Sequence, residues 1–342
     1  MTLEEAAAAV RSPEEAAMKA AKARWDSRAK LPGSLGGLET LVIRLAGVQR
    51  SPTPRADHKR AVVFCADNGV AVQGVTPSPV HITADQAVNF ARGGGTINVF
   101  ARGCGAQVQV IDVGIATDYD EPGVLRRVVR RGTGDITAGP AMTAAECRAA
   151  VETGVAAACE AAREGIQILI TGEMGIGNTT TSSAVAALLL DQPLELVTAK
   201  GAGTPQRTAH KIEVLRRAIA RNHPDPADPL DVIAKVGGLD IAALCGLYIG
   251  CAANGLAAFV DGVISGAAAL CAARLVPLSR NYMLPSHCSA EPAGRLLLDA
   301  LGLSPLITAG MCLGEGTGGA LGALLLDQAL AAYYDVVGID EI

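Results

Sequence analysis

A carboxylate held between glycines is the first feature of this sequence that could perform chemistry. Glu315 lies in Leu313-Gly-Glu-Gly-Thr-Gly318, ahead of an apolar run that predicts a final helix over about 318–333 with Thr317 as its N-cap. A tight turn fixes a side chain firmly, and an apolar pocket would raise the pKa of this carboxyl into the range of a general base. A glutamate that only stabilises the helix dipole has the same pattern. The spacing alone leaves base and structural cap equally open.

A second glycine-rich segment directly follows an apolar run and is typical of a strand, a turn and a helix. It is Thr171-Gly-Glu-Met-Gly-Ile-Gly-Asn-Thr-Thr-Thr181. Gly175 and Gly177 would let the backbone approach a phosphate closely, and Asn178 or Thr179 would cap a helix whose free amides face the anion. The segment is neither a Walker A motif nor a spaced dinucleotide fingerprint. A phosphate cradle and a strand-to-helix turn without a ligand are the two interpretations.

Two charged side chains accompany this segment. Glu173 is unsuited to contact with a phosphate, so we expect it to face a sugar hydroxyl or a cationic ring. Lys211 stands in the first turns of a predicted helix that two glycines precede. It is either a solvated surface charge, the usual case for lysine, or a cation on the substrate side, which the glycines favour.

Polar residues in two further segments are candidates for substrate contacts. Ser78 lies in a loop with two prolines, and Thr83 and Gln86 in the helix that follows have the spacing of a capping box. That spacing favours a structural role for Gln86. Ser289 belongs to Ser286-His-Cys-Ser-Ala-Glu291, which combines a thiol, hydroxyls, an imidazole and a carboxylate. Proximity in sequence does not assemble a catalytic triad, so this loop is as suited to holding phosphate or ring substituents.

Five short apolar runs predict the strands that would position these side chains: 61–65, 108–111, 166–170, 196–198 and 256–260. The intervals between them are long enough for crossover helices, so the sheet should be mostly parallel. An acidic residue follows four of the five runs, namely Asp67, Asp112, Glu173 and Asp261. Ligands of open α/β sheets bind at the carboxyl ends of the strands, so these acids should converge on one cleft. Helix capping is an equal alternative for the first two.

Two capping boxes predict where helices begin. Ser12-Pro-Glu-Glu15 predicts a helix from about residue 13, and Thr143-Ala-Ala-Glu146 predicts one from about residue 144 that ends near Gly165. The second helix leads directly into the run 166–170. This alternation of helix and strand indicates the α/β class.

The composition narrows the possible functions. The chain has 342 residues, a net charge of -5 and scattered basic residues, which argues against a nucleic-acid partner. Its nine cysteines lack a C-x-x-C spacing and do not cluster with histidine, so we expect a reduced cytoplasmic protein without a metal site. The longest apolar stretch, about 255–275, contains Asp261 and two glycines, and it divides better into a strand and a buried helix than into a membrane span. No secretion signal is evident at the start of the chain.

With these segments in view, the chain resembles the nicotinate-nucleotide–dimethylbenzimidazole phosphoribosyltransferases of cobamide lower-ligand synthesis over nearly its whole length. The segments that carry the resemblance are Pro32-Gly-Ser-Leu-Gly36, Ala66-Asp-Asn-Gly-Val70, Arg92-Gly-Gly-Gly95, Gly172-Glu-Met-Gly-Ile-Gly-Asn-Thr-Thr180, Asp261-Gly-Val-Ile-Ser265, Ser286-His-Cys-Ser-Ala-Glu291 and Leu313-Gly-Glu-Gly-Thr-Gly318. An ordered set of this length is highly specific.

The resemblance implies roles for individual residues. Glu315 occupies the place of the catalytic carboxylate, which takes a proton from the benzimidazole while the other ring nitrogen attacks the ribose of nicotinate mononucleotide. The remaining counterparts are Ser78 and Gln86 on the side of the base and Glu173, Gly175, Ile176, Gly177, Lys211 and Ser289 on the side of the nucleotide. No cofactor or metal is implied.

The resemblance also implies an architecture. It is a Rossmann-like, mostly parallel sheet flanked by helices, with a smaller helical domain formed from the chain-terminal segments, in a homodimer. Residues 1–60 would contribute helices to the small domain, 61–290 would form the α/β domain that binds nucleotide and base, and 291–342 would carry the catalytic glutamate and part of the small domain.

Three positions depart from the family pattern, and other functions remain to be compared. Asn68 replaces a common histidine, Cys312 a usual arginine and Gly37 a common basic residue.

Members of the family accept other benzimidazoles, purines or phenols, so the identity of the accepted base is open. An NAD-linked dehydrogenase would need spaced glycines after an early strand, which are missing. A nucleotide-binding protein without chemistry would keep the cradle but would have no need of Glu315.

Overall fold

Six parallel strands form the central sheet of the protein. The computed structural model describes residues 1–201 and 203–342, and in this range the strands are β1 (Lys59–Ala66), β2 (Ala106–Gly114), β3 (Val124–Arg126), β4 (Ile168–Met174), β5 (Ala257–Val260) and β6 (Met283–Pro285). They lie in the order β3-β2-β1-β4-β5-β6, and every neighbouring pair is parallel. This is the strand order of a doubly wound Rossmann sheet, whose ligand crevice opens where the order reverses, between β1 and β4.

Helices connect the strands and pack on the sheet. They are α1 (Leu3–Ala9), α2 (Glu15–Asp26), α3 (Gly37–Gln49), α4 (Ile82–Ala91), α5 (Thr96–Gly103), α6 (Ala144–Arg163), α7 (Asn178–Leu190), α8 (Leu194–Val197), α9 (Pro205–Asn222), α10 (Pro229–Val236), α11 (Leu239–Asn254), α12 (Val263–Leu275), α13 (Ala293–Leu301) and α14 (Thr317–Asp335). Short 3₁₀ helices span Gly69–Gln73, Pro277–Tyr282 and Ile339–Glu341. None of the helices in the described ranges is long and apolar enough to cross a membrane.

The predicted mostly parallel sheet is confirmed, with one strand wrong and two missed. The apolar runs at 61–65, 108–111, 166–170 and 256–260 lie in or overlap β1, β2, β4 and β5. The run at 196–198 is instead the end of α8 and its C-cap, because Pro193 starts a helical turn and the Thr198 hydroxyl donates back to the Leu194 carbonyl. The edge strands β3 and β6 have three residues each, too few to show a periodic pattern.

The predicted capping boxes are right at one helix and wrong at two. Thr143 caps α6 with the predicted reciprocal bonds to Glu146, and the helix ends at Arg163. The predicted helix near residue 13 exists as α2, but Glu14 is its N-cap and makes no capping bond through its side chain. The box at Thr83 is also wrong, because α4 begins one residue earlier and places Thr83 within its first turn.

The sheet separates two hydrophobic cores. Strand β1 is buried along its whole length, with Val62 and Phe64 in one core and Ala61 and Val63 in the other. Alternate side chains of a strand point to opposite faces, so burial on both faces explains the unbroken apolar run. Both faces of the sheet are therefore covered by helices.

The core on one face depends on an unusually close helix pair. Gly154 of α6 faces the backbone of α11, where a Cβ would overlap the carbonyl oxygen of Ala243. Gly246 of α11 lies equally close to the Val151 carbonyl. Glycine permits this approach because it has no side chain. The contact fixes α11, whose first turn lies at the carboxyl edge of the sheet.

Helices from the two ends of the chain share the second core. Trp25 of α2 and Tyr333 of α14 are fully buried, and their rings meet edge to face at a centroid distance of 5.1 Å. The Tyr333 hydroxyl also donates to the carbonyl of Pro52 at 2.7 Å. The division into residues 1–60, 61–290 and 291–342 stays a prediction.

Candidate functional site

The carboxyl ends of β1 and β4 carry the turn that the sequence predicts as a phosphate cradle. Glu173 is the penultimate residue of β4, and Gly175–Gly177 connects the strand to α7. A Cβ on Gly175 would overlap the carbonyl oxygen of Ala66 at the end of β1, so only glycine fits there. The predicted helix cap is different, because Gly177 is the N-cap and Asn178 begins the helix.

A narrow cleft opens beside this turn. Its free volume is about 30 Å³, enough for roughly one water, so a nucleotide would extend along its open side. The lining residues come from segments at the carboxyl edge of the sheet and from the loop before α14: Glu173, Thr179, Gly262, Val263, Ile264, His287, Ser289, Glu291, Cys312, Leu313 and Gly314. Two residues proposed from the sequence, Glu173 and Ser289, thus share one cleft.

Glu173 is buried and uses both carboxyl oxygens. Oε1 accepts the backbone N–H of Glu315 at 3.3 Å, and Oε2 accepts the side-chain amide of Asn178 at 2.5 Å. Burial raises the pKa of Glu173 to about 8, with a further increase from the nearby charge of Asp240. Glu173 therefore binds a proton at a higher pH than an ordinary glutamate does. It also supports the turn that carries Glu315.

Asp240 is an acidic neighbour of Glu173 that was not predicted from the sequence. It lies in the first turn of α11, and its Oδ2 accepts the same Asn178 amide nitrogen at 2.9 Å. Burial raises the pKa of Asp240 to about 6. The sequence contains one sign of it: an aspartate shortly after Gly237-Gly238, at the start of an otherwise apolar helix and not at the end of a strand.

The turn at Glu315 is held by a residue from another strand end. Glu315 has a positive φ of 62°, and Oδ2 and Oδ1 of Asp261 accept the backbone N–H groups of Gly316 and Gly319 at 3.2 and 3.0 Å. The predicted cap Thr317 is wrong, because its hydroxyl donates to the Gly314 carbonyl instead. Asp261 thus caps α14, as its own position after β5 allows.

The Glu315 carboxylate points to a second helix start. Its Oε2 accepts the backbone N–H of Ile97, in the first turn of α5, at 3.4 Å. Burial raises its pKa, and the negative charge of Asp261 adds to this effect. Glu315 makes no capping hydrogen bond to its own helix α14, although it stands directly before the N-cap Gly316. Catalytic base and carboxylate that stabilises the helix dipole stay the two interpretations.

Lys211 lies inside the protein and not on its surface. Its Nζ donates to Thr179 Oγ1 at 2.9 Å, to the Ala199 carbonyl at 3.1 Å and to the Lys200 carbonyl at 3.5 Å. Burial lowers its pKa to about 8, which the charge of Glu291 partly opposes. Because Thr179 lines the cleft, Lys211 places a positive charge directly behind the cleft wall.

Glu291 and Ser289 form another part of the cleft wall. The two carboxyl oxygens of Glu291 accept the backbone N–H groups of Lys200 and Gly201, each at 2.7 Å. Ser289 Oγ accepts the N–H of Glu291 at 3.3 Å. Glu291 and Thr179 were not among the predicted site residues, although both belong to segments, 286–291 and 171–181, that the sequence indicates as possible phosphate sites.

The cradle is tied to the helix that carries Gln86. The backbone N–H of Ile176 donates to Thr83 Oγ1 at 3.1 Å, so this amide is already used within the protein. Gln86, one turn further along α4, is half-buried and accepts the Asn89 amide at 3.0 Å. Ser78 is half-buried in the loop before α4.

The remaining strand-end acids have structural partners. Asp112 accepts the N–H groups of Gly114 and Ile115 at 2.9 and 2.8 Å and the Tyr119 hydroxyl at 2.8 Å. Asp67 accepts the N–H of Ala116 at 2.8 Å. Asp112 and Asp67 therefore each stabilise a loop. Neither of them caps a helix, and neither lines the cleft. All four acids lie at the carboxyl edge of the sheet, but only Glu173 and Asp261 contact the turn of Glu315.

The loop around His287 does not form a catalytic triad. Ser286 Oγ donates to the Val260 carbonyl, and Ser286 Oγ at 3.3 Å and Asp261 Oδ1 at 4.0 Å both lie near the same ring nitrogen, Nδ1 of His287. A triad needs the serine and the acid on different ring nitrogens. In residues 1–201 and 203–342 no cluster of histidine, cysteine and acidic residues could hold a metal ion. The residues at the cleft are suited to binding, proton transfer and charge stabilisation.

Known proteins resemble the chain in sequence and in structure. A family profile described as phosphoribosyltransferase matches residues 10–341. The nicotinate-nucleotide–dimethylbenzimidazole phosphoribosyltransferase of Ruminiclostridium cellulolyticum is 45% identical over 98% of this chain and 96% of its own length. The corresponding protein of Geobacter sulfurreducens is 44% identical over 95% of this chain and 93% of its own length.

A solved structure agrees with both sequence comparisons. The crystal structure of CobT from Thermus thermophilus superposes with a TM-score of 0.90 at 39% identity, and the match covers 95% of this chain and 98% of that one. The sequence resemblance is thereby confirmed over nearly the full length. The chain belongs to the family of nicotinate-nucleotide–dimethylbenzimidazole phosphoribosyltransferases.

Proposed function

We propose that the protein transfers the phosphoribosyl group of nicotinate mononucleotide to 5,6-dimethylbenzimidazole or a similar base. The products are α-ribazole 5′-phosphate and nicotinate. Family membership supports the reaction, and the observation that carries its mechanism is the placement of Glu315. Its carboxylate lies on a rigid turn next to the cleft, with a raised pKa and one backbone donor from Ile97.

In the proposed step one ring nitrogen of the base attacks the anomeric carbon of the ribose on the face opposite nicotinate. The bond from that carbon to the nicotinate nitrogen breaks, and its electron pair stays on nicotinate, which neutralises the pyridinium charge. The proton on the other ring nitrogen moves to the Glu315 carboxylate. Inversion at the anomeric carbon converts the β-nucleotide into the α-product.

Glu315 is suited to this proton transfer for two reasons. Burial raises the pKa of its carboxyl group, and a carboxylate with a raised pKa accepts a proton more readily. The turn between Gly314 and Gly316, fixed by Asp261 and Glu173, keeps the carboxylate in one place. A fixed base needs no reorganisation when the proton moves.

The nucleotide would lie along the cleft. The Gly175–Gly177 turn, the start of α7 and the positive charge of Lys211 behind Thr179 would receive the phosphate, and Ser289 would donate its hydroxyl. Helix starts and lysine together favour an anion. Glu173 would face the ribose, and Ser78 and Gln86 would contact the base.

A direct assay tests this function. The purified protein is incubated with nicotinate mononucleotide and 5,6-dimethylbenzimidazole, and nicotinate and α-ribazole 5′-phosphate are followed by chromatography and mass spectrometry. We expect both products in equal amounts. Adenine and a phenol, offered in place of the benzimidazole, identify the preferred base. No product with any of these bases would contradict the transferase.

We further propose that the protein works in the cytoplasm as a homodimer. The resemblance supports the homodimer, and the cysteines support the compartment, since all nine are unpaired thiols. Sedimentation equilibrium should give a mass of about twice the 34.8 kDa chain. A monomer at assay concentrations would contradict the dimer and leave the reaction untouched.

A further inference from the structure

One amide nitrogen joins two buried acids beneath the cradle. Asn178 Nδ2 donates to Glu173 Oε2 at 2.5 Å and to Asp240 Oδ2 at 2.9 Å. Glu173 continues the chain of bonds, because its Oε1 accepts the N–H of Glu315 at 3.3 Å. A hydrogen-bonded path therefore runs from α11 through the start of α7 and the end of β4 to the Glu315 turn.

Asp240 contributes to the site without lining the cleft. It is 0% exposed, and the Gly175 turn lies directly above its carboxylate, since a Cβ on Gly175 would come within 2.8 Å of Oδ2. Its Oδ1 accepts the N–H of Ile241 at 3.0 Å. Its hydrogen bond to Asn178, which also binds Glu173, connects Asp240 to the cleft.

We infer that Asp240 is a positioning residue, which orients the Asn178 amide and keeps a proton on Glu173 so that Glu173 meets the nucleotide as a neutral hydrogen-bond donor. The inference rests on the proposed function and assigns a further residue to the same reaction. It resolves why a glutamate stands beside a phosphate cradle. A neutral acid does not repel the phosphate, and its hydroxyl can donate to the nucleotide.

The charges around Glu173 favour this state. Negative charge acts on it from Asp240 of α11 and Asp261 at the end of β5, and the Cys65 thiol of β1 lies nearby. The other titratable residues that share its cleft are His287, Glu291 and Cys312. Two buried carboxylates that share one amide donor cannot both ionise cheaply, so one of them retains a proton. Asp240 stands in the first turn of α11, where the helix dipole and the N–H of Ile241 favour its charged form, so the retained proton belongs on Glu173. Burial raises the pKa of both acids.

The test is Asp240→Asn, which keeps the shape and an acceptor for Asn178 and removes the charge. In the wild type, kcat/KM for nicotinate mononucleotide should fall as the pH rises through the pKa of Glu173, at about 8. Without the Asp240 charge the pKa of Glu173 decreases, so this fall should begin about one pH unit lower. At pH 8 the variant should lose roughly three- to tenfold in kcat/KM, mainly through KM.

A double-mutant cycle shows whether Asp240 acts through Glu173. Lys211 has a pKa of about 8 as well, so its deprotonation contributes to the alkaline fall in every variant. In the Glu173→Gln background only this Lys211 part of the fall should remain, and Asp240→Asn should then have no further effect on the pH profile. Asp299→Asn, an exposed partner of Arg295 on α13, is the control and should leave the profile unchanged. An unaltered profile in Asp240→Asn, or the same displacement with Glu173 replaced, overturns the inference.

Infrared spectroscopy tests the inference even if the Asp240→Asn variant does not fold. Infrared difference spectra between pH 6 and pH 10 should contain a carbonyl band of a protonated carboxylic acid that Glu173→Gln lacks. Absence of a band belonging to Glu173 at neutral pH overturns the inference even where Asp240→Asn does not fold. Because this titration needs no turnover, it separates failure of the inference from failure of the proposed reaction.

Discussion

The backbone N–H of Glu315 donates a hydrogen bond to Oε1 of Glu173 at 3.3 Å, which ties the turn of Glu315 to the carboxylate of a cleft residue 142 positions earlier in the chain. Glu173 supports the turn, and Glu315 presents its own carboxylate from it. The two acids therefore have different tasks. Substituting them should have different consequences for stability and for turnover.

Glu315→Gln should keep the fold and lose most of the turnover. The amide is isosteric and can still accept the N–H of Ile97, but it cannot take a proton from the base. We expect kcat to fall by about 10²- to 10⁴-fold with a small change in KM. Single-turnover assays and circular dichroism measure the two effects, and the exposed Glu213→Gln on α9 is the control. Wild-type turnover in Glu315→Gln would assign Glu315 a structural role.

Glu173→Gln should become more stable than the wild type as the pH rises. Burial raises the pKa of Glu173 in the folded state above its ordinary value of 4.5, to about 8. Between these values the folded state holds a proton that the unfolded state has lost, so the free energy of unfolding falls with pH by up to about 1.4 kcal/mol per pH unit. The difference between variant and wild type should grow from pH 5 to pH 8 and then level off.

Urea unfolding at intervals of half a pH unit measures this difference. Taking the difference between two chains that share all other titrating groups isolates Glu173. A difference that stays constant from pH 5 to pH 9 would mean that Glu173 has an ordinary pKa in the folded protein.

Thr83→Val should loosen the cradle, whereas Thr83→Ser should preserve it. The Ile176 N–H donates to Thr83 Oγ1 at 3.1 Å, and valine would leave this amide without its partner. An unsatisfied buried donor costs about 1–3 kcal/mol, so the melting temperature should fall by about 2–10 °C. The KM for nicotinate mononucleotide should rise together with it. Equal behaviour of the two variants would show that the hydroxyl contact contributes nothing.

Lys211→Met should weaken binding of the nucleotide. The charge of Lys211 lies behind Thr179, and methionine fills similar volume without it. We expect the KM for nicotinate mononucleotide to rise about tenfold or more and the KM for the base to stay within about twofold. Initial rates with each substrate varied in turn separate these effects. The exposed Lys19→Met on α2 is the matched control and should change neither value.

Gly154→Ala should destabilise the protein strongly. A Cβ at this position of α6 overlaps the carbonyl of Ala243, so the two helices must move apart. Overpacking against backbone costs about 1–3 kcal/mol or more, and displacement of α11 would also move Asp240. Gly103→Ala at the end of α5, where a Cβ meets no atom within 4 Å, is the control and should be neutral. Thermal unfolding of both variants measures the difference.

The sequence by itself determined the α/β class, the parallel sheet and the two segments that carry Glu173 and Glu315. These features depend on local patterns, because a buried strand needs an unbroken apolar run and a capping box such as that of Thr143 is complete within four residues. The role of base came from the resemblance. The strand predicted at 196–198 was wrong because a run of three residues does not distinguish a strand from a helical turn.

Only the tertiary structure decided which groups meet. Asp261 caps a helix that begins much later in the chain, at Thr317, in place of the threonine that local spacing favours, because the carboxyl end of β5 lies beside that helix start. Asp240 reaches the site because glycines in α6 and α11 let the two helices pack closely. Contacts between distant segments depend on packing and on the register of the sheet, so they cannot be predicted from residues that are neighbours in the chain.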